Sequence, residues 1–330
     1  MYDAREIGLN WKGSLESLFS VPGARCSSLT SDNKLKDHTG NDRCILVVEE
    51  TLADHTFGKL VWATRSSADV LVKIPISQGH AKQEAVIQWL VQKTLSANGL
   101  GDHCPKVYDI FSFSNKLWFS MEPVYSAPML DTYLKSLPNW TRPAPENGII
   151  LIKILAQIAM SCFVLEQTIG FNHRDLKPDN ILVKVDSFKP HVLKWKDELE
   201  IKIEASHTAI LVDFGFSCLG PGTSPWIQSG DGVLPPFDAC PKVGRDIFMI
   251  LVFLLWRKDV RNSLTEKHLE FFKSSLHLTS GRLYEMMNSS PSEWIYKLIT
   301  ERGFKCPALD PLVWLRLCAN HFPDIVSVKG

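Results

Sequence analysis

A long apolar run, Ile149 to Ile169, leads almost directly into the polar octapeptide His173-Arg174-Asp175-Leu176-Lys177-Pro178-Asp179-Asn180, and Ile181-Leu182-Val183 follows at once. The run is long enough to cross a bilayer, but Lys153, Gln157 and Glu166 interrupt it, so a helix buried in a large helical body is the better reading. A charged loop held between two apolar elements has two readings. In one it is a solvated helix-to-strand turn, with Pro178 and Asn180 chosen for the backbone. In the other it is a site, where Asp175 takes up a proton and Asn180 offers an oxygen to a divalent cation.

Two further segments bear on that choice. Asp213-Phe214-Gly215 follows the apolar run Ala209-Ile210-Leu211-Val212, so a buried strand delivers a carboxylate to a turn, with Gly215 permitting an unusual backbone conformation. Upstream, Val70-Leu71-Val72-Lys73-Ile74 reads as a strand with Lys73 as its one charge. Taken singly, the first is an ordinary turn and the second a surface lysine. In this order the three motifs resemble the eukaryotic protein kinase superfamily: a V-A-I-K-like strand, the H-R-D-L-x-x-x-N loop and D-F-G. Lys177, two residues past Asp175, resembles the serine/threonine branch. The resemblance covers residues 44–325.

That resemblance implies an α+β, two-lobed protein kinase-like fold, with a small antiparallel β-sheet N-lobe carrying one main helix and a larger, mostly helical C-lobe. The N-lobe would be residues 44–121, the hinge 122–126 and the C-lobe 127–325. Residues 1–43 form a polar N-terminal extension, 326–330 a tail, and about 184–206 an insertion whose alternating Leu193, Trp195, Leu199, Ile201 and Ile203 suggest a hairpin. It implies ATP and Mg2+, with Mn2+ as a substitute, and a protein Ser/Thr hydroxyl as acceptor. Asp175 would accept from that hydroxyl and Lys177 neutralise the moving phosphoryl group. Asn180 and Asp213 would hold the metal, and Lys73, paired with Glu84, would grip the phosphates. Adenine would sit against the Glu122 carbonyl and the Val124 amide, with Met121 behind it, Leu52 and Leu71 above and Leu182 below, and Gly58 closing the phosphate loop.

The chain departs from the family pattern in three places. In Leu52-Ala53-Asp54-His55-Thr56-Phe57-Gly58-Lys59-Leu60 the first two glycines of the phosphate-covering loop are Ala53 and His55, and Asp54 adds negative charge, so nucleotide binding is expected to be weakened or reshaped. Glu84 follows Lys73 sooner than the family usually allows, implying a clipped connection. Past Asp213 the Ala-Pro-Glu anchor is missing, with Gly232-Val233-Leu234-Pro235-Pro236 in its place ahead of Arg245-Asp246. Asp246 resembles the buried Asp that supports the catalytic-loop backbone, and Arg174 would pair with a phosphorylated segment, for which Ser217, Thr223, Ser224 and Ser229 are acceptors. Two other functions stay open: a pseudokinase scaffold, and a kinase-like enzyme acting on a small molecule.

Composition narrows partners more than chemistry. With 36 basic against 36 acidic residues, nothing points to nucleic acid or an anionic membrane. The 8 cysteines are scattered, without a C-x-x-C pair, which favours reduced thiols in a cytoplasmic or nuclear setting and gives zinc no support. No secretory signal is visible at the N-terminus.

Overall fold

Strands dominate the described residues of the first third of the chain. The computed structural model describes residues 26–36, 40–55, 58–75, 78–114, 116–186, 188–196, 198–220, 227–228, 242–290, 293 and 309–330. Seven strands, β1 (Cys26–Leu29), β2 (Lys34–Lys36), β3 (Asp42–His55), β4 (Gly58–Arg65), β5 (Ala68–Pro75), β6 (Val107–Phe113) and β7 (Lys116–Met121), close in the order β1-β2-β3-β4-β5-β7-β6. Neighbours are antiparallel except at the closure, where β1 runs parallel to β6 with Cys26 opposite Ile110. Leu29, Leu35, Leu46, Val61, Ala63, Val70, Val72 and Phe111 form a core cluster of their own in this barrel. The β4–β5 connection is a two-residue turn in which Ser66 and Ser67 both have positive φ, the hand that matches strand twist.

This barrel corrects the fold expected from the sequence. The two-lobed arrangement with a small antiparallel sheet requires an open sheet, and here the sheet is closed on itself. The strands that close it come from the segment read as a polar extension. Among the described side chains of β1 and β2, Leu29 and Leu35 are the buried apolar ones. One apolar residue per strand, among Ser, Asp, Asn and Lys, is too little for a periodicity to register.

Eight helices are described: α1 (Gln78–Ala97), α2 (Leu130–Ser136), α3 (Pro145–Ile169), α4 (Arg245–Trp256), α5 (Lys258–Ser263), α6 (Glu266–Ser275), α7 (Ser280–Asn288) and α8 (Pro311–His321). The α3 helix is the apolar run itself. Pro145 opens it, where a missing N–H costs nothing, and 83% of its most apolar window is buried inside the fold, so its length serves a core. Gly170 ends it at φ 58, donating to the Glu166 and Leu165 carbonyls. A side chain there would meet the Gly220 carbonyl oxygen at 2.3 Å, so only glycine lets the chain turn toward the octapeptide at this point.

Beyond the octapeptide, β8 (Ile181–Val185) pairs with β11 (His207–Leu211). Residues 184–206 carry the hairpin of β9 (His191–Trp195) and β10 (Leu199–Ile203). Within residues 326–330, β14 (Val326–Lys329) pairs with β10, Ile201 opposite Val328 and Ile203 opposite Val326, and Val326 is fully buried. β12 (Cys218–Leu219) pairs with β13 (Ile227–Gln228). Cys218 is disulfide-bonded, which corrects the expectation of reduced thiols throughout, whereas Cys44, Cys104, Cys162 and Cys318 are free. The partner's side chain lies outside those described.

Candidate active site

Lys73 lies on β5, which pairs on one side with β4 and on the other with β7, so its backbone is fixed from both flanks. The helix α1 begins three residues after β5 ends, and this short connection sets Glu84 into the buried face beneath the strand. The Lys73 ammonium donates to Glu84 Oε1, and also to Asp213 Oδ1 at 3.0 Å. Burial opposes charge on Lys73, but Glu84 and Asp213 outweigh it and hold its pKa above the ordinary lysine value. Burial likewise pushes against ionisation of Asp213, yet the Lys73 charge and hydrogen bond, with His173 and Lys177, leave its pKa lowered. For Glu84 burial wins, and its pKa is raised.

The octapeptide is held by buried groups. Asp246, in the first turn of α4, accepts from the backbone amides of His173 at 2.8 Å and Arg174 at 3.0 Å. Ser217 Oγ donates to the His173 carbonyl at 3.1 Å, and Asn172 and Cys218 exchange backbone hydrogen bonds. Arg174 sits at φ 67 and Asp213 at φ 63, left-handed conformations that cost a non-glycine residue of order 1 kcal/mol or more and persist only where the surroundings dictate them. The same framework ties the two motifs together: His173 Nε2 donates to the Val212 carbonyl at 3.0 Å, and the Val212 amide donates to the Asn180 carbonyl at 3.1 Å. Phe214 is fully buried, its ring 5.3 Å from His173 and 6.1 Å from Phe171.

Within the loop, Asp175 Oδ2 accepts from Lys177 Nζ at 2.8 Å and from Asn180 Nδ2 at 3.0 Å. Asn180 Nδ2 also donates to the Asp175 carbonyl at 2.8 Å, which leaves Asn180 Oδ1 as the side chain's acceptor. The structure thus gathers Lys73, Glu84 and Asp213 in one cluster and Asp175, Lys177 and Asn180 in another, joined through His173 and Val212. An oxygen-only donor set from Asn180 Oδ1 and the second Asp213 oxygen suits a hard divalent cation such as Mg2+ or Mn2+.

The residues assigned to adenine are more dispersed. Leu71 and Met121 are directly opposite one another on β5 and β7. Leu182 is half-buried on β8 and bridges Met129, while Leu52 is 50% exposed on β3. Glu122 donates its amide to the Lys106 carbonyl at 2.8 Å, and Glu122 and Val124 line a separate cleft described below. Gly58 is the first residue of β4, buried opposite His55 and Pro75. Ala53, Asp54 and His55 pair with Leu60, Lys59 and Gly58 after a register shift between Thr51 and Ala53, so the described part of the segment lacking two glycines lies in an irregular strand pair. Thr223, Ser224, Ser229 and Gly232 to Pro236 lie outside the described residues.

Sequence reasoning missed His173 as the link between the motifs, although its place beside Arg174 and Asp175 marked it. No protein-family model and no curated protein matches the chain. Among solved structures it is similar to the crystal structure of BubR1 kinase domain, with 15% identity over 92% of this chain and 89% of that chain and a TM-score of 0.44.

Proposed function

We propose that the chain is an ATP-dependent protein kinase that transfers the γ-phosphoryl group to a Ser or Thr hydroxyl of a protein. One observation carries this reading: Lys73 joins Glu84 and Asp213 while, linked to them through His173, Asp175 is oriented by Lys177 and Asn180. Mg2+-bound ATP supplies the phosphoryl group and the divalent charge that neutralises it. Asp213 and Asn180 hold the metal. Lys73 positions the phosphates, and Glu84 keeps its ammonium from swinging away. Asp175 accepts the proton of the acceptor hydroxyl as the new O–P bond forms and the bond to the β,γ-bridging oxygen breaks, releasing ADP. Lys177 compensates the charge that moves past it. The Ser/Thr preference rests on the position of Lys177 two residues past Asp175.

A second reading is favoured by the strand ladder at Ala53 to His55, whose backbone pairs across β3 and β4. Backbone committed to a ladder is less free to approach phosphate oxygens, and a scaffold that binds without transfer would tolerate that. Incubation with γ-labelled ATP and Mg2+ separates the readings. Label on protein Ser or Thr is the expected result. Label on a small molecule, or on nothing, overturns it in favour of a small-molecule kinase or a scaffold respectively.

A further inference from the structure

A second cleft, of about 840 Å³, opens where the residues after α1, the segment from Glu122 to Tyr125 and the strands β9 and β11 meet; Lys73, Glu84, Asp175 and Asp213 take no part in its lining. His103 and His191 stand on its wall with ring centroids 5.0 Å apart. His103 is 2% exposed; its Nδ1 donates to the Ala209 carbonyl at 2.8 Å, and Nε2 has no hydrogen-bond partner among the described residues. His191 Nε2 donates to the His207 carbonyl at 3.2 Å, leaving Nδ1 over. A neutral imidazole that donates from one nitrogen accepts at the other. Burial keeps both rings neutral, His103 with a pKa of about 4 and His191 with a lowered one. Two ring acceptors are therefore presented side by side.

The charges around them have one prevailing sign. Asp69, Asp102, Glu122 and Asp186 line the cleft against Lys184 and Lys189. Lys184 is already tied to Asp186 at 3.5 Å. Asp102 acts electrostatically on both imidazoles and Asp186 on His191, where Lys189 opposes them. A partly enclosed site with excess acceptors and net negative charge selects a cationic, donor-rich group.

We propose that this cleft binds a guanidinium or alkylammonium group, with the free ring nitrogens of His103 and His191 and the carboxylates of Asp102 and Asp186 as its acceptors. The group belongs either to a basic side chain of a partner peptide or to a free polyamine. The cleft takes none of Lys73, Glu84, Asp175 and Asp213 but shares Glu122 and Val124 with the segment expected to face adenine. Calorimetric titration of the full chain with acetyl-Gly-Arg-Arg-Gly-amide, with the same peptide carrying neutral citrulline for arginine, and with spermidine tests it. Saturable binding of the arginine peptide is expected, at least tenfold weaker for the citrulline peptide and at least tenfold weaker for the Asp102→Asn/Asp186→Asn variant. The single Asp102→Asn variant, at an exposed side chain, provides the same comparison in a minimally altered protein. Spermidine displacing the peptide at lower concentration identifies a polyamine as occupant, and the reverse order identifies a peptide. Absence of binding, equal affinity for the citrulline peptide, indifference to the carboxylate changes, or displacement by ATP would each overturn the proposal.

Discussion

Lys73 and Asp213, set against buried Glu84, keep their charges by pairing them, whereas His103, His191 and His207 give charge up. In the first cluster each burial penalty meets an opposite charge within hydrogen-bond reach, so Lys73 and Asp213 keep their charges. In the second, among the described residues, His103 donates to the Ala209 carbonyl and His191 to the His207 carbonyl, while His207 Nε2 is buried without a hydrogen bond, and the histidine pKa values fall. The difference teaches what each is suited for. The charged cluster matches the polyanion and counter-ion of the proposed reaction. A neutral one presents acceptors and responds to pH.

The largest effect should come from breaking the charged cluster. Asp213→Asn removes the carboxylate proposed to hold the metal and the charged partner of Lys73 without changing shape, and phosphoryl transfer should fall on the order of 10³-fold while the circular dichroism melt stays intact. Wild-type turnover in that variant would end the kinase reading. Next comes the pH response of the neutral cluster. The folded-state pKa of His103 is about 4 against an ordinary 6.5, so in that window the unfolded chain binds more protons, and stability must fall as pH drops from 6.5 to 4. His103→Asn keeps a donor toward Ala209 but cannot titrate. Between those pH values its unfolding free energy should drop by about 3 kcal/mol less than that of the wild type, read from urea midpoints. Asp213, whose pKa is lowered, contributes above 3.8 and loses its contribution only as pH falls through its folded value, so it stays constant across this window. Equal pH slopes in the two proteins would erase the contrast between the clusters. The smallest effect tests redundancy within the charged one. Glu84→Gln leaves Lys73 its bond to Asp213, so kcat/KM should fall only about tenfold, mostly through the nucleotide KM. A loss as large as that of Asp213→Asn would mean that Glu84, not Asp213, fixes the ammonium.

Much of the charged cluster was legible because charge in an apolar strand is conspicuous. Lys73 among valines, and Asp213 at the end of Ala209 to Val212, announce themselves in the sequence, and the short step from Lys73 to Glu84 follows from α1 starting almost where β5 stops. The histidine cluster was invisible for the opposite reason. His103, His191 and His207 lie far apart in the chain, each in an unremarkable setting, and only the pairing of β8 with β11 and the β9–β10 hairpin bring them to one wall. The barrel failed to register because its closing strands are short and mostly polar, so their membership is decided by partners rather than by their own pattern. The same holds for β14, whose Val326 and Val328 make sense only against β10.

The parallel contact between β1 and β6 has a consequence for how the barrel breathes. A strand of four residues, joined to β2 of three, is the thinnest stave in the wall, and its partner on β6 is remote in sequence. Amides of Cys26–Leu29 and Lys34–Lys36 should therefore exchange with deuterium at a lower opening free energy than those of β4 and β5. Each such opening bares the outer edges of β3 and β6 together, two ready templates for a foreign strand.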